Sequence, residues 1–421
     1  MRIAIIGGGI VGVATAHALL DEGHTVTVFD REGLSAGASG GNAGWIAHMD
    51  ILPLASPKAW RNMPRWLMDP LGPLTIRPAY LPKLMPWLLR FAAASQPARI
   101  DAGSKAIIAL NGTALAAWRD LLGKLDMLET FLRPAGILSV WAREGDYRAA
   151  GALIERQQAL GLPVRLLDTK GVQALEPALD NIVAGALYES GMHVADPRLL
   201  TETLGARAKA RGATLALGES AGGVRAIERR EQGFQLHLRE GESAPHLFDR
   251  VVLAAGAWSR PLAAAAGDRV PLDTERGYNI TLPARALGLS RPVMYEGEGF
   301  VTTPLDSGDR IGGAVEFGGL DARPNMARVD AMLARLKRFL PQAALPGLGE
   351  DADRRWMGFR PSIPDSLPVI GESKAQPGLV HAFGHGHYGL TQAAITGRLV
   401  ADILAGRDSA IDRRPYSPDR F

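Results

Sequence analysis

Gly7, Gly9 and Gly12 stand in a G-x-G-x-x-G spacing, and Asp30 follows at the end of an alternating apolar run. Residues of these types at this spacing can hold a diphosphate. Gly7 allows a tight turn, Gly9 lets backbone N–H groups approach a pyrophosphate, and Gly12 lets a helix pack closely on a strand. Asp30 lies where a carboxylate can accept hydrogen bonds from an adenosine ribose. The expected ligand is a dinucleotide held through its AMP half, with Ile10, Val11 and Arg31 beside the glycines and the acid.

Two further stretches suit the rest of such a ligand. Residues 31–48, REGLSAGASGGNAGWIAH, are too rich in glycine and alanine for a packed helix or strand. Ser39, Asn42, Ala43 and Gly44 could run along the dinucleotide toward a redox ring, the alternative being an ordinary surface loop. His48 falls near the same place, although a lone histidine is more often structural. Residues 379–406 read as a strand, a glycine-rich turn and a long helix, whose first N–H groups could face an electron-rich ring. His385 and His387 have no cysteine or carboxylate close by in sequence, so no metal site is expected. Residues 356–371 place Arg360 in a loop stiffened by Pro361 and Pro364.

The elements that must position these residues are legible in outline. Residues 2–6 read as a strand, Val13 to Leu20 recur at helical intervals, Gly23 falls at the C-terminal cap, and residues 25–29 alternate as a second strand. Helices are expected over 105–125, 146–160 and 325–340, and a short capped one over 168–176. Asp196 and Pro197 open another as N-cap and first residue. Strands are expected over 132–142, 182–189 and 213–256, the last ending in the small residues Ala254, Ala255 and Gly256, and again over 271–320.

Length, 421 residues, allows two domains. The absence of cysteine excludes disulfides, thiolate metal sites, cysteine nucleophiles and a flavin attached through cysteine. A net charge of +3 and no recognisable module argue against nucleic acid. Charge is concentrated in residues 51–105, where eight basic residues face only Asp69 and Asp101. Trp60, Trp66, Trp87 and Phe91 are interleaved with them, and prolines at 53, 57, 64, 70, 73, 78, 82, 86 and 97 are expected to cut the segment into short helical pieces. Three readings stand: a lid, a patch resting on an anionic membrane, or a packed excursion. With no apolar run of membrane-span length and a strand at the outset, the expected location is the cytoplasm, extended to the inner face of the membrane if residues 51–97 form a patch.

GGGIVG with Asp30, GASGGNAG, VVLAAGAWS at 251–259, RGYNITL at 276–282, GFRPSIPDSLPVIG at 358–371 and GHGHYGLT at 384–391 together resemble the FAD-dependent D-amino acid oxidase family, and most of all its bacterial D-amino acid dehydrogenases. The resemblance covers nearly the whole chain. It implies an α/β (α+β) fold, a Rossmann-type FAD-binding domain interleaved with an antiparallel-sheet substrate domain. Residues 1–52, 194–266 and 355–421 would form the first, and 53–193 and 267–354 mainly the second.

The resemblance also implies site roles. Gly7, Gly9, Gly12 and Asp30 would hold the ADP portion, Ser39 and Asn42 to Gly44 the flavin's middle and ring, and the backbone near Ala221 the adenine. Ala255 and Gly256 would pass close to the cofactor. Gly384, Gly386, His387, Tyr388, Gly389 and Leu390 would face the pyrimidine end of the isoalloxazine. Arg360 would receive the substrate carboxylate, with Tyr278 on a strand facing that pocket and Tyr388 and His48 near it.

The implied activity is oxidation of a D-amino acid, including proline-like rings, by hydride transfer to flavin N5, with no protein base strictly required. The partners are an amino acid and a quinone or other electron acceptor. A glycine or sarcosine oxidase, a non-catalytic flavin module and an NAD enzyme are the alternatives.

Overall fold

The computed structural model describes residues 1–56, 60, 63, 68–239, 247–347 and 349–421. Lys58, Arg61, Arg65 and Trp66 of the basic segment lie outside the described residues. The glycine motif sits where expected: strand Arg2–Ile6, helix Ile10–Asp21 and strand Thr25–Asp30. The helix closes through Gly23, φ +75°, with Gly23 N–H on the Leu20 carbonyl and His24 N–H on the Leu19 carbonyl. This paired closure satisfies two otherwise orphaned carbonyls.

Around this unit grows a six-stranded sheet in the order Thr214–Leu217, Thr25–Asp30, Arg2–Ile6, Arg250–Leu253, Leu379–Phe383, Val369–Glu372. The first five are parallel and the last runs antiparallel. Both faces are covered, so the central strands Arg2–Ile6 and Arg250–Leu253 read as continuous apolar runs, while Thr25–Asp30 nearer the edge alternates. Ile3, Ile5, Val26 and Val28 join the core beneath helices Ile10–Asp21, Pro97–Lys124, Pro197–Ala210 and Gly389–Ala405. Ala4, Ile6 and Phe29 join the opposite core, with the hairpin Val224–Arg230 and Gly233–Leu238.

Among the described residues the second sheet has nine strands and is mainly antiparallel. Its edge is Arg355–Ser362, followed by Asp273–Leu282, Gly308–Phe317 and Phe300–Leu305. Helix Ala327–Leu336 covers one face through Val329, Met332 and Leu333. The fold is thus the expected α/β arrangement of a parallel nucleotide-binding sheet and an antiparallel partner.

Local expectations fail in instructive places. Arg360 lies on a strand, not in a loop; Pro361 is tolerated there because an edge strand need not donate on its outer side. Consequently residues 355–362 pair within the second sheet, and the chain rejoins the first only at Val369. Residues 81–94 form one helix with Pro86 inside it rather than short pieces. Buried Leu84, Trp87 and Phe91 hold that helix down, with the rings of Trp87 and Phe91 stacked at 5.2 Å. The next helix begins at Pro97, ahead of the expected 105, and packs Ile107, Leu110 and Trp118 into the core of the first sheet although 53–193 was expected to be mainly substrate domain.

Helices Ile10–Asp21 and Gly389–Ala405 cross at Gly397, where a Cβ would come within 2.9 Å of the Ala14 carbonyl oxygen. Gly397→Val is expected to force them apart, costing about 1–3 kcal/mol. Thermal unfolding followed together with bound-flavin content checks this: both should fall.

Candidate active site

The carboxyl ends of the parallel strands, the 31–48 loop and one face of the second sheet enclose a single continuous cavity of about 1290 Å³. Gly7, Gly9, Ile10, Val11, Asp30 and Arg31 line one end, and Arg360, Gly386, His387, Tyr388, Gly389 and Leu390 line the other. Gly12 acts from behind: a Cβ there would lie 1.9 Å from the Gly7 carbonyl oxygen. Gly384, φ +83°, lies behind the cavity against Ile363.

At the first end Asp30 is held by three backbone donors, Gly8 at 2.7 Å and Glu32 and Gly33 at 2.9 Å each. A carboxylate has about four acceptor sites, so roughly one remains for a ligand hydroxyl. The Arg31 guanidinium stacks over Trp258 at 4.2 Å. Ala221 is exposed, and Gly222, Val224 and Arg225 form the wall expected of it. A Cβ on Gly222 would strike the Asp30 carbonyl at 2.2 Å, which explains the small residue.

The 39–44 loop is fixed from three sides. Ser39 Oγ accepts the Ile10 N–H at 2.9 Å, and the Asn42 side chain joins the Ser39 carbonyl at 2.7 Å to the Gly44 N–H at 2.8 Å. Asn279 donates to the Gly41 carbonyl at 2.6 Å. Arg310, buried, donates to the Gly40 and Asn42 carbonyls at 3.2 and 2.7 Å. Burial lowers the Arg310 pKa to about 10, so it stays charged at neutral pH. Ala43, Ala255 and Gly256 line the cavity beside this loop, while Gly44, φ +78°, turns the chain out of it.

At the far end the second sheet presents alternate residues. Glu275, Gly277 and Asn279 face the cavity, and the Arg360 guanidinium lies across Gly277, where a Cβ would be 2.4 Å from it. Arg360 donates to the Ala314 carbonyl at 2.9 Å and forms no ion pair among the described residues. Ala314 sits in the left-handed region, φ +56°, at a bulge where the register between the two long strands shifts. Asp365 belongs to Arg420 at 2.8 Å, so it is not the partner of Arg360. Glu275 accepts from Ser362 at 2.5 Å and meets His387 Nε2 at 2.8 Å. Burial opposes its charge, but His387 and Ser362 outweigh that and hold its pKa below the ordinary value.

Two expected residues are engaged elsewhere. Tyr278 is among the residues lining the cavity, but its hydroxyl is taken up in the second sheet, donating to Glu316 and accepting the Asn325 N–H at 3.1 Å. The ring belongs to the core, and burial raises its pKa. His48 lies outside the cavity lining, its ring nitrogens facing the Ile46 carbonyl at 3.2 Å and Ser190 at 3.1 Å. His385 is buried against Thr396, and burial lowers its pKa to about 3. Asp50, Glu296, Trp258, Trp356 and Glu275 line the cavity without having been singled out in the sequence. Only the tertiary fold brings them there. Asp50 receives the Tyr388 hydroxyl, and burial and Glu296 raise its pKa to about 6 against the effect of that hydrogen bond.

Residues 2–403 match the family described as DAO, FAD dependent oxidoreductase. The D-amino-acid oxidase of Bradyrhizobium diazoefficiens is 35% identical over 440 residues, covering 100% of this chain and 99% of that one. A D-amino acid dehydrogenase 2 of Ralstonia nicotianae is 31% identical and covers 99% of each. Among solved structures, a glycine oxidase from Geobacillus kaustophilus has a TM-score of 0.78 at 23% identity, over 100% of this chain and 99% of that one, a likeness of fold. The chain belongs to the DAO family of FAD-dependent oxidoreductases; it is an enzyme acting on amino-acid donors, with FAD as cofactor.

The residues present fit that cofactor. The cavity exceeds the roughly 300–1,000 Å³ of an ordinary small-ligand pocket, and helix Ile10–Asp21 opens on it with neither a side-chain cap nor an acid in its first turn. That end is left positive for a diphosphate. Gly9→Val is expected to abolish FAD binding while leaving the fold intact, because a branched side chain would enter the pyrophosphate approach. Flavin absorbance per protein, with circular dichroism for the fold, measures it.

Proposed function

We propose that the enzyme oxidises the C–N bond of D-amino acids and passes the electrons to a membrane quinone. The observation that carries the substrate class is Arg360, a guanidinium in the cavity wall with no ion-pair partner among the described residues. A half-buried cation in that state suits a carboxylate gripped by two parallel hydrogen bonds. The relatives named for D-amino acids support the stereochemistry. Leu74, Ile76, Trp87, Leu88 and Phe317 supply an apolar wall, which favours compact apolar side chains and proline-like rings.

When bound, FAD would supply the acceptor for the α-hydrogen and its electron pair. The chain's own residues hold and orient. Gly7, Gly9, Gly12 and Asp30 would keep the nucleotide, Ser39 and Asn42 to Gly44 the middle of the cofactor, and residues 386–390 its ring end. Arg360 would fix the carboxylate, so that the α-carbon meets the ring in one orientation. The imino acid formed is hydrolysed to a keto acid and ammonia.

Support for the acceptor comes from helix Leu81–Ala94. Leu81, Met85 and Leu89 are exposed at four-residue intervals, Leu89 to 65%. Lys83, Arg90 and Arg99 are exposed nearby and form no ion pair among the described residues. The other side of the same helix lines the cavity through Trp87, Leu88 and Phe91. An apolar stripe flanked by free cations suits an anionic membrane surface, each cation adding about 1 kcal/mol. No helix among the described residues is long and apolar enough to cross a membrane.

Two measurements test this reading. Arg360→Ala should keep FAD and weaken D-amino acid binding by about 2–5 kcal/mol, with Arg360→Lys recovering only part. Unchanged apparent affinity, or faster reduction by glycine or sarcosine than by every D-amino acid, would overturn the assignment. Exchange of Leu81, Met85 and Leu89 for serine should reduce sedimentation with anionic vesicles at least tenfold while preserving turnover with a soluble dye. Wild-type binding should weaken with salt; no binding to anionic vesicles would remove the membrane from the proposal.

A further inference from the structure

The cavity holds a second ionisable group that the reading above leaves without a task. Asp50 follows the 39–48 loop and lines the same cavity as Arg360. Its backbone is fixed on both sides: Asp50 N–H donates to the Ala47 carbonyl at 3.2 Å, and the Asn111 amide donates to the Asp50 carbonyl at 2.9 Å. Gln392, on the C-terminal helix, holds Asn111 in turn at 2.9 Å. The carboxylate is aimed by the hydroxyl of Tyr388, one residue before the helix whose start faces the ring end of the cavity. A chain of contacts therefore joins the cavity's cation to its free acid: Arg360 beside Glu275, Glu275 on His387, His387 next to Tyr388, and Tyr388 on Asp50.

An α-amino acid carries its charges on neighbouring atoms, a carboxylate and an ammonium. Arg360 answers the first. The second must lose a proton before its nitrogen lone pair can become the second bond of an imine. We infer that Asp50 binds the substrate's ammonium group and accepts that proton. The N–H bond breaks as an O–H bond forms on the Asp50 carboxylate, and the freed lone pair forms the C=N bond as the α-hydrogen leaves with its electron pair for FAD. Asp50 then returns its proton to solvent.

The surroundings suit such an acceptor. The titratable groups around Asp50 among the described residues are Glu296, Tyr388 and Tyr188, with His48 two positions earlier engaged by Ile46 and Ser190. Tyr188 donates to Gln157 at 2.9 Å and is not available to it. Burial and Glu296 place its pKa at about 6, near the operating range where a general base is most effective. At pH 7 it is mainly ionised; below about 6 it is protonated and cannot accept.

The inference rests on the amino-acid reading, and the experiment separates the two. The FAD-bound protein is titrated with 2-aminoisobutyrate, which lacks an α-hydrogen and cannot be oxidised, and with isobutyrate, which lacks the nitrogen. Calorimetry in buffers of different ionisation enthalpy counts protons. Wild type should release about one proton per 2-aminoisobutyrate bound at pH 5 and none at pH 8; Asp50→Asn should release none at either and bind it at least tenfold more weakly, with isobutyrate unaffected. Anaerobic flavin reduction by D-alanine should slow below about pH 6 in wild type. In Asp50→Asn that limb should vanish and the rate fall at least a hundredfold; in Tyr388→Phe the limb should move to higher pH, since a hydrogen bond to the carboxylate is lost. Retention of the limb in Asp50→Asn, equal binding of 2-aminoisobutyrate, or an effect confined to D-lysine and D-arginine would overturn the inference. Preference for D- over L-alanine, read in the same wild-type reaction, tests the amino-acid reading separately.

Discussion

Close backbone contact at positions that lack a side chain is the constraint on which this structure depends. Gly12 rests against the Gly7 carbonyl, Gly7 against Ala254, and Gly397 against Ala14. A Cβ at any of these would lie under 3 Å from a backbone atom that cannot retreat. Because those contacts are made, the two helices whose first turns open on the cavity are fixed relative to each other and to the parallel sheet. The first presents its positive end to a diphosphate, and the second sets Tyr388 and His387 at the opposite end. Neither position could be held by side-chain packing at ordinary helix spacing.

The second sheet contributes what the first cannot, a polar floor. Its alternation places Glu275, Gly277 and Asn279 on the cavity side and Arg276 and Ile280 on the other, with the Tyr278 hydroxyl bonded to Glu316. Gly277 is empty space taken by the guanidinium of Arg360. The bulge at Ala314 supplies that guanidinium with one acceptor and leaves its remaining donors without an ion pair among the described residues. Positive and acidic groups are thus spread along one wall in the order Arg360, Glu275, His387, Asp50.

Much of this was legible in sequence because it is local. The glycine turn, the Gly23 closure, the Asp196 cap, which accepts the Leu199 N–H at 2.7 Å, and the strands of 213–256 all follow from residues a few positions apart. What failed depended on distant partners. RGYNITL alternates, but only the docking of Ala327–Leu336 decides that Tyr278 is the core residue and Gly277 the cavity residue. Pro361 suggested a loop because nothing local reveals that its strand is an edge. Asp50 and Arg310 carried no motif, and each acquires its place through contacts more than a hundred positions away or through the cavity itself.

The order of strands in the parallel sheet has a temporal consequence. Arg2–Ile6 lies between Thr25–Asp30 and Arg250–Leu253, and the latter lies beside Leu379–Phe383, so on one side its partner is synthesised much later than itself. The turn at Gly7 gains its contact with Ala254, and its helix the contact with Gly397, only after those much later residues exist. Such long-range pairing slows folding and prolongs exposure of apolar strands. The nucleotide site, built on residues 7–30, is therefore complete only once residues 254 and 397 have been made.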